Sequence, residues 1–179
     1  MLLVYGGSFN PITKAHYEIA KLLKEKYNSN FLFVPVGNSY SKENLIEFHH
    51  RFNMLNIIAN KLDATVINAE DNKKYLGTYD LLKKLQKEDK DIYFILGADN
   101  LINLHNWINA KKLIEEFKFI VLTRDNIKLD FSSFEYPNNF DVVNINFDIS
   151  SSDFRNNKNT NVIDEDVLKY IKENNLYEV

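Results

Sequence analysis

The feature that most constrains this chain is a short apolar segment that ends in two glycines and leads into a helical pattern. Residues 2–5 are apolar or aromatic throughout, as in strands that are buried on both faces of a parallel sheet. Gly6 and Gly7 follow, and they let the backbone approach a ligand closely because they lack a Cβ atom. Thr13 is the predicted N-cap of the next helix, and His16 lies in the first turn of that helix. Because a helix N-terminus offers free amide groups and the positive end of its dipole, this order of elements predicts a phosphate site.

Strand-like and helix-like patterns alternate along all 179 residues. Apolar runs predict strands over 2–5, 31–36, 64–68, 91–96, 118–122 and 142–147. Apolar residues at helical spacing predict helices over 13–27, 47–62, 79–86 and 110–117, one helical turn over 100–104, and two helices that begin near 149 and 164. The segment 126–140 has no sustained period and is predicted to be a long excursion. The predicted fold is therefore α/β, a Rossmann-like doubly wound parallel sheet with helices on both faces, in a single domain over residues 1–179.

Composition excludes several classes of function. The chain has no cysteine, which excludes disulfides and thiolate metal sites, and its formal net charge of −3 with no basic block argues against binding to a nucleic acid polymer. No apolar run approaches the roughly 20 residues that span a membrane, and the N-terminus lacks the layout of a signal peptide, so a cytoplasmic location is expected. His49, His50 and His105 have no spacing that makes a metal cage, and no protein metal site is expected.

Two motifs at opposite ends of the chain carry a resemblance to a known family. The first, from Gly6 to His16, resembles the nucleotidyltransferase motif of the adenylyltransferases, in which (His/Thr)-x-Gly-His follows Gly-x-Phe-Asp-Pro. Thr13-Lys14-Ala15-His16 occupies the second part of that motif, with Ala15 in place of glycine and Asn10 in place of aspartate. The second motif, over residues 149–155, resembles the family's Ile-Ser-Ser-(Thr/Ser)-x-(Ile/Val)-(Arg/Lys) pattern. Serines at a helix start and an arginine supply hydrogen-bond donors that suit phosphate oxygens.

Further segments resemble the branch of the family that acts on nicotinate mononucleotide. Gly97-Ala98-Asp99 with Trp107 downstream resembles a segment whose tryptophan stacks on the pyridine ring. Gly77-Thr78-Tyr79 resembles a segment whose backbone amides hold the nicotinate carboxylate. Lys42 resembles a phosphate-binding lysine, and Arg124 a weaker candidate for the ATP site. The end of the chain, from Val167 to Tyr177, resembles the end of that branch and is expected to serve packing.

The resemblance implies a nicotinate-nucleotide adenylyltransferase, which makes deamido-NAD and pyrophosphate from ATP and nicotinate mononucleotide. The attacking phosphate is already an anion, so no protein nucleophile is implied, and Mg²⁺ is expected as a cofactor that the ATP phosphates carry. The implied catalytic residues are His16, Thr13 and Arg155. The implied ATP-binding residues are Gly6, Gly7, Ser8, Phe9, His16, Gly97, Asp99, Ile149, Ser151, Ser152 and Arg155. The implied nicotinate-mononucleotide-binding residues are Lys42, Thr78, Asp99 and Trp107.

Several alternatives stay open at the level of sequence. Phosphopantetheine adenylyltransferase also has threonine at the position of Thr13, and nicotinamide mononucleotide is a further acceptor. A nucleotide-binding regulator without turnover is the alternative from another class, and Asn10 and Ala15 are its support. The expected partners are ATP and a mononucleotide acceptor, with no nucleic acid polymer and no membrane, and a homo-oligomer is left open.

Overall fold

The computed structural model describes residues 1–37, 45–68, 76–124, 129–146 and 151–179. Its six described strands form one sheet in the order β3-β2-β1-β4-β5-β6, and every neighbouring pair is parallel. The predicted fold class is therefore confirmed. The strands are β1 (Leu2–Gly7), β2 (Asn30–Pro35), β3 (Thr65–Val66), β4 (Ile92–Gly97), β5 (Lys118–Thr123) and β6 (Phe140–Asn144).

Helices connect these strands and cover both faces of the sheet. The helices are α1 (Lys14–Tyr27), α2 (Phe48–Leu62), α3 (Thr78–Leu85), α4 (Ala98–Ile102), α5 (Ala110–Glu116), α6 (Ser151–Asn157) and α7 (Glu165–Glu173), with short 3₁₀ turns at Leu104–Asn106, Pro137–Asn139 and Thr160–Val162. Among the described residues, no helix combines the length and the apolar composition that crossing a bilayer requires.

Two separate cores lie on the two faces of the sheet because side chains alternate along each strand. Leu3, Ile95 and Ile120 belong to the core that includes apolar residues of α1, α2, α6 and α7. Val4 and Val121 point the other way, into the core that includes apolar residues of α3, α4 and α5. Burial on both faces explains why the strands are continuously apolar in sequence.

The described part of the predicted excursion, residues 129–139, packs on the sheet through aromatic side chains. Phe134 and Phe140 are buried, with ring centroids 4.7 Å apart, and Phe131 lies 5.2 Å from Phe140. Packing of these rings on the second core orders the described part of the predicted excursion, and β6 begins at Phe140, two residues before its predicted start. The aromatic spacing follows neither the helical nor the strand period, so a periodicity argument misses this packing.

The strand order places a crevice at the carboxyl ends of β1 and β4. These strands are neighbours, with Tyr5 paired to Ile95, but the chain leaves β1 toward β2 on one side and continues from β4 to β5 on the other. Ligands of doubly wound sheets bind at such a switch in strand order. Gly6, Gly7 and Gly97 all lie at this edge of the sheet.

Candidate active site

Two cavities open at the carboxyl edge of the sheet and meet at Ser8, which lines both. The larger, of about 450 Å³, is called the polar cavity, and the smaller, of about 260 Å³, the aromatic cavity. Polar groups line the polar cavity from Ser8, Asn10, His16, Asp99, Arg124, Ser151, Ser152 and Arg155. The aromatic cavity is lined mainly by apolar and aromatic side chains, with polar groups from Ser8, Thr78, Asn100 and Asn106.

His16 enters the polar cavity from the first turn of α1. Its Nδ1 accepts a hydrogen bond from the backbone N–H of Thr13 at 3.1 Å and lies 2.7 Å from the Thr13 hydroxyl. Since an atom that accepts from an N–H cannot itself carry a proton, the imidazole proton lies on Nε2. Burial, and after it the charge of Arg124, lowers the pKa of His16 to about 4. At neutral pH the side chain is therefore an uncharged N–H donor in the wall of the polar cavity.

Thr13 lies beneath His16 and outside the described walls of both cavities. Only 1% of the residue is exposed, and its backbone N–H and its hydroxyl both contact Nδ1 of His16. The residue also stands at the N-cap of α1, where the backbone turns from extended to helical. This placement suits Thr13 to orient His16, and the catalytic role that the resemblance implies for Thr13 stays a prediction.

The second motif packs directly onto the loop that follows β1. Arg155 donates from Nη1 to the carbonyl oxygen of Asn10 and from Nη2 to the Ser152 hydroxyl at 3.3 Å. Ser151 donates its hydroxyl proton to the carbonyl of Pro11 at 2.8 Å. The structure thus brings together two motifs that are about 140 residues apart in sequence. Because Pro11 takes the proton of Ser151, that hydroxyl can accept from a ligand but does not donate to one in this arrangement.

The glycines at the end of β1 have a role in the packing of the protein itself. A Cβ atom on Gly6 would lie 3.0 Å from the ring of Phe94, and one on Gly7 would lie 3.0 Å from the ring of Phe9. Both glycines also line the aromatic cavity. The sequence predicts close approach of a ligand here, and the structure adds that two aromatic rings already occupy the space where side chains would be.

Flat apolar surfaces characterise the aromatic cavity. Trp107 lines it, with Phe94 at 6.0 Å in an edge-to-face arrangement. Thr78 also lines it, from the first turn of α3, and is 6% exposed. Gly77 precedes α3 at φ 98°, and a Cβ there would lie 2.9 Å from Ile108, so only glycine fits at this entry to the helix.

The remaining predicted site residues are placed as follows. Asp99 is exposed and lines the polar cavity only, although the sequence predicts contact with both ligands. Gly97 lies at the same edge of the sheet but outside the described cavity walls. Lys42 and Ile149 lie outside the described residues. The ligand roles of all the predicted residues stay predictions.

Some residues that line the cavities are not predicted as site residues from the sequence. Tyr5 lines the polar cavity, and burial raises the pKa of its hydroxyl group. Asn100, in α4, and Asn106, in the 3₁₀ turn before Trp107, line the aromatic cavity. Both asparagines follow a strand that ends in glycine, and this position could have predicted them as site residues. Polar residues that follow such strand ends face the ligand crevice.

No protein cage for a metal ion is present in the part of the chain that the structure describes, since no three His, Asp or Glu side chains group there. Asp99 is the one carboxylate among the described residues that line the polar cavity. This donor set fits a hard divalent cation that is held mainly by phosphate oxygens and water.

Comparison with known proteins agrees with this geometry. Residues 4–157 match the model of the cytidylyltransferase-like family. The chain is 43% identical to a probable nicotinate-nucleotide adenylyltransferase of Acholeplasma laidlawii, over 99% of this chain and 98% of the relative. It is 32% identical to a protein of the same name from Aliarcobacter butzleri, over 95% and 94% of the two chains.

Solved structures give the same result. A structure of Plasmodium falciparum nicotinic acid mononucleotide adenylyltransferase complexed with NaAD superposes with a TM-score of 0.77 at 30% identity, over 99% of this chain and 97% of the other. A second structure of that enzyme, complexed with APC, gives a TM-score of 0.75 at 30% identity, over 99% and 96% of the two chains. The chain therefore belongs to the cytidylyltransferase-like family, in its branch of nicotinate-nucleotide adenylyltransferases.

Proposed function

We propose that this chain, as a single domain of 179 residues, transfers the adenylyl group of ATP to nicotinate mononucleotide and releases deamido-NAD and pyrophosphate. The observation that carries the proposal is the meeting of two unlike cavities at Ser8, one polar with two arginines and a neutral histidine, the other aromatic with Trp107. Such a pair of cavities suits one triphosphate substrate and one substrate with a flat ring.

The polar cavity would hold ATP. Arg124, Arg155 and the Nε2–H of His16 are donors of the kind that bind phosphate oxygens, and two of the three carry full positive charge. The aromatic cavity would hold the pyridine ring, with Trp107 in contact with its face and the first amides of α3 near its carboxylate. The phosphate of the mononucleotide would then lie near Ser8, where the cavities meet.

The chemistry needs alignment more than it needs a protein nucleophile. An oxygen of the mononucleotide phosphate forms a bond to the α-phosphorus of ATP, and the bond from that phosphorus to the bridging oxygen of the β-phosphate breaks. The attacking oxygen is an anion, so no base has to remove a proton from it. Holding both substrates in line supplies much of the rate, and donors that meet growing negative charge supply the rest. His16 would act as such a donor, and Thr13 would keep its proton on Nε2.

Mg²⁺ is part of the proposal as the partner of ATP. When bound, it would neutralise phosphate charge, with the triphosphate, water and Asp99 as its surroundings. The protein itself would hold the two substrates in the in-line arrangement and would supply the arginine and histidine donors.

The direct test is pyrophosphate release with ATP, Mg²⁺ and each of three acceptors. We expect the highest kcat/KM with nicotinate mononucleotide, above nicotinamide mononucleotide and phosphopantetheine. A preference for either of those two acceptors would overturn the proposed substrate. Binding of ATP without pyrophosphate release for any acceptor would instead favour a regulator that has lost turnover.

His16→Ala tests the proposed role of the histidine. Because it removes a donor to charge that develops in the reaction, we expect kcat to fall by about 10³-fold. The matched control is His105→Ala, since His105 is exposed, stacks on Phe134 at 4.5 Å and lies outside the described cavity walls. Near-normal kcat in the His16 variant would contradict the role.

A further inference from the structure

Arg51 holds the loop over residues 8–11 without lining either cavity. It is fully buried in α2, where a charged side chain is costly unless its donors find acceptors. Its Nε donates to the carbonyl of Ile46 at 3.1 Å, and its Nη1 donates to the carbonyl of Ser8 at 3.0 Å. Ser8 is the residue at which the two cavities meet. The hydrogen bond from Arg51 therefore holds the backbone at that junction without placing Arg51 in a cavity wall.

Tyr177 holds the same loop from the C-terminal end of the chain. It follows α7 and packs edge-to-face against Phe154 at 5.5 Å. Its hydroxyl donates to Oδ1 of Asn10 at 2.7 Å, and this oxygen also accepts the N–H of Ile46 at 3.4 Å. Asn10 is 4% exposed and lines the polar cavity, and its own carbonyl accepts from Arg155.

Arg51 and Tyr177 share three properties. Each lies outside the described walls of both cavities, each is joined by a hydrogen bond to a residue that lines the polar cavity, and each comes from a distant part of the chain. Burial also raises the pKa of Tyr177, which keeps its hydroxyl protonated as a donor at neutral pH. The loop between the cavities is therefore tied to α2 on one side and to the C-terminal segment on the other.

We propose that Arg51 and Tyr177 are positioning residues for adenylyl transfer, which act through Ser8 and Asn10 to hold the loop over residues 8–11 where the two substrates meet. The inference rests on the proposed function, because it is in-line alignment of two phosphates that makes a small displacement of this loop costly. A misplacement of about 1 Å can lower a rate by roughly 100-fold when two reactants must be aligned. The end of the chain would thus serve the reaction as well as packing.

Tyr177→Phe is the sharpest test because it removes one hydroxyl group and keeps the ring. We expect kcat to fall by about tenfold, the size of one lost hydrogen bond that affects alignment. The matched control is Tyr170→Phe, on α7. The Tyr170 hydroxyl contacts His50 at 2.9 Å and Asn53 at 3.0 Å, and Tyr170 lies outside the described cavity walls. The control should keep kcat within about twofold and should have a Tm close to that of Tyr177→Phe, because each loses one hydrogen-bonding hydroxyl.

A double-mutant cycle separates positioning from a general loss of stability. If Tyr177 acts through Asn10, adding Tyr177→Phe to Asn10→Ala should lower kcat by less than about twofold further. Equal kcat in Tyr177→Phe and Tyr170→Phe would overturn the inference. A full tenfold effect of Tyr177→Phe in the Asn10→Ala background would also overturn it, since the effect would then not pass through Asn10.

Arg51 is tested with two variants. Arg51→Lys keeps the charge but loses the fork that reaches two carbonyls, and we expect kcat to fall by about tenfold with a smaller change in KM for ATP. Arg51→Met removes the hydrogen bonds to the carbonyls of Ile46 and Ser8 and should have a larger effect. If Arg51→Met does not fold, the kcat of Arg51→Lys decides whether Arg51 is a positioning residue. Unchanged kcat in Arg51→Lys would remove Arg51 from the proposal.

The readout distinguishes this inference from the proposed function. Turnover is measured with whichever acceptor gives the fastest pyrophosphate release from the unmodified chain, so a different preferred acceptor would overturn the proposed function alone. If no acceptor turns over, the same variants are compared by calorimetry of ATP binding with Mg²⁺. Tyr177→Phe should then weaken the Kd by at least about threefold relative to Tyr170→Phe, and an equal Kd would overturn the inference.

Discussion

At the scale of single residues, the chemistry of the polar cavity depends on which nitrogen of His16 carries the proton. The backbone N–H and hydroxyl of Thr13 both point at Nδ1, which leaves Nε2 as the donor. A protonated imidazole would need a second proton on Nδ1, opposite the N–H of Thr13. Burial and Arg124 therefore act in the same direction as this hydrogen bond, and His16 stays neutral.

The first prediction concerns the pH dependence of stability. The pKa of His16 is about 4 in the folded chain and about 6.5 in the unfolded chain. Between these values the unfolded state binds a proton that the folded state does not, so the free energy of unfolding should fall as the pH drops from 6.5 toward 4. One such group contributes at most about 1.4 kcal/mol per pH unit. Urea unfolding at several pH values should show a shallower dependence for His16→Asn.

Titration of the His16 imidazole by NMR checks the same prediction directly. We expect no change in its ring signals above pH 5.5, and no contribution of its protonation to the pH profile of kcat between pH 6 and 8. A midpoint near 6.5 would contradict the buried neutral state.

The second prediction concerns Thr13. Thr13→Val removes the hydroxyl that faces Nδ1, so we expect kcat to fall by about tenfold and the free energy of unfolding to fall by about 1 kcal/mol through the lost helix cap. Thr13→Ser keeps the hydroxyl and should keep kcat near that of the unmodified chain. If Thr13→Val instead raises KM for ATP and leaves kcat unchanged, Thr13 contacts the triphosphate itself.

At the scale of elements, the site is built from the ends of strands and the starts of helices. The glycine turns lie at the ends of β1 and β4, and His16 lies in the first turn of α1. Thr78 is the first residue of α3 and lines the aromatic cavity. The entry to α3 is the most constrained of these, because Gly77 has a positive φ and Ile108 occupies the space that a Cβ atom on Gly77 would need.

The third prediction compares two glycines. In Gly77→Ala the new Cβ would lie 2.9 Å from Ile108 on a backbone that L-residues avoid, so we expect a loss of about 1–3 kcal/mol in stability and a raised KM for the acceptor. In Gly97→Ala the new Cβ has none of the described residues beyond its chain neighbours within 4 Å and φ is −75°, so the Tm should not change. Equal Tm values for the two variants would show that the turn at Gly77 adapts.

In the molecule as a whole, different elements form the two cavities, and the cavities meet at one edge of the sheet. The polar cavity is framed by α1, α6 and the end of β5, and the aromatic cavity by α3, β4 and the turn before α5. Their only common residue in the described walls is Ser8.

The fourth prediction follows from this separation. Trp107→Ala should raise KM for the acceptor by about fivefold and change KM for ATP by less than twofold, because one stacking contact is worth about 1 kcal/mol. Arg124→Ala should do the reverse, since Arg124 lines only the polar cavity. Steady-state kinetics with each substrate varied in turn would measure both. Equal effects on both KM values in both variants would contradict separate binding sites.

Much of the fold and part of the site follow from local sequence. Continuous apolar runs between helical patterns predict a parallel sheet, because only strands covered on both faces have this composition. The strand bounds agree within about two residues for most strands, as at β5, predicted over 118–122 and observed at Lys118–Thr123. The two motifs predict which ends of the chain form the polar cavity, since each combines a helix start with phosphate-binding side chains.

The fold class, the family and the residue types at the site can be read from the amino-acid sequence, because they depend on local periodicity and on short motifs. The contacts that these residues make depend on how distant parts of the chain pack together. Thr13 contacts His16 rather than a cavity, Ser151 donates to Pro11, and Tyr177 returns to Asn10. The last two contacts join residues 140 and 167 positions apart, and no local pattern encodes which distant group will meet a given donor. Packing of α6 and of the C-terminal segment onto the loop after β1 brings these groups together, and buried donors and acceptors then pair where the packing places them.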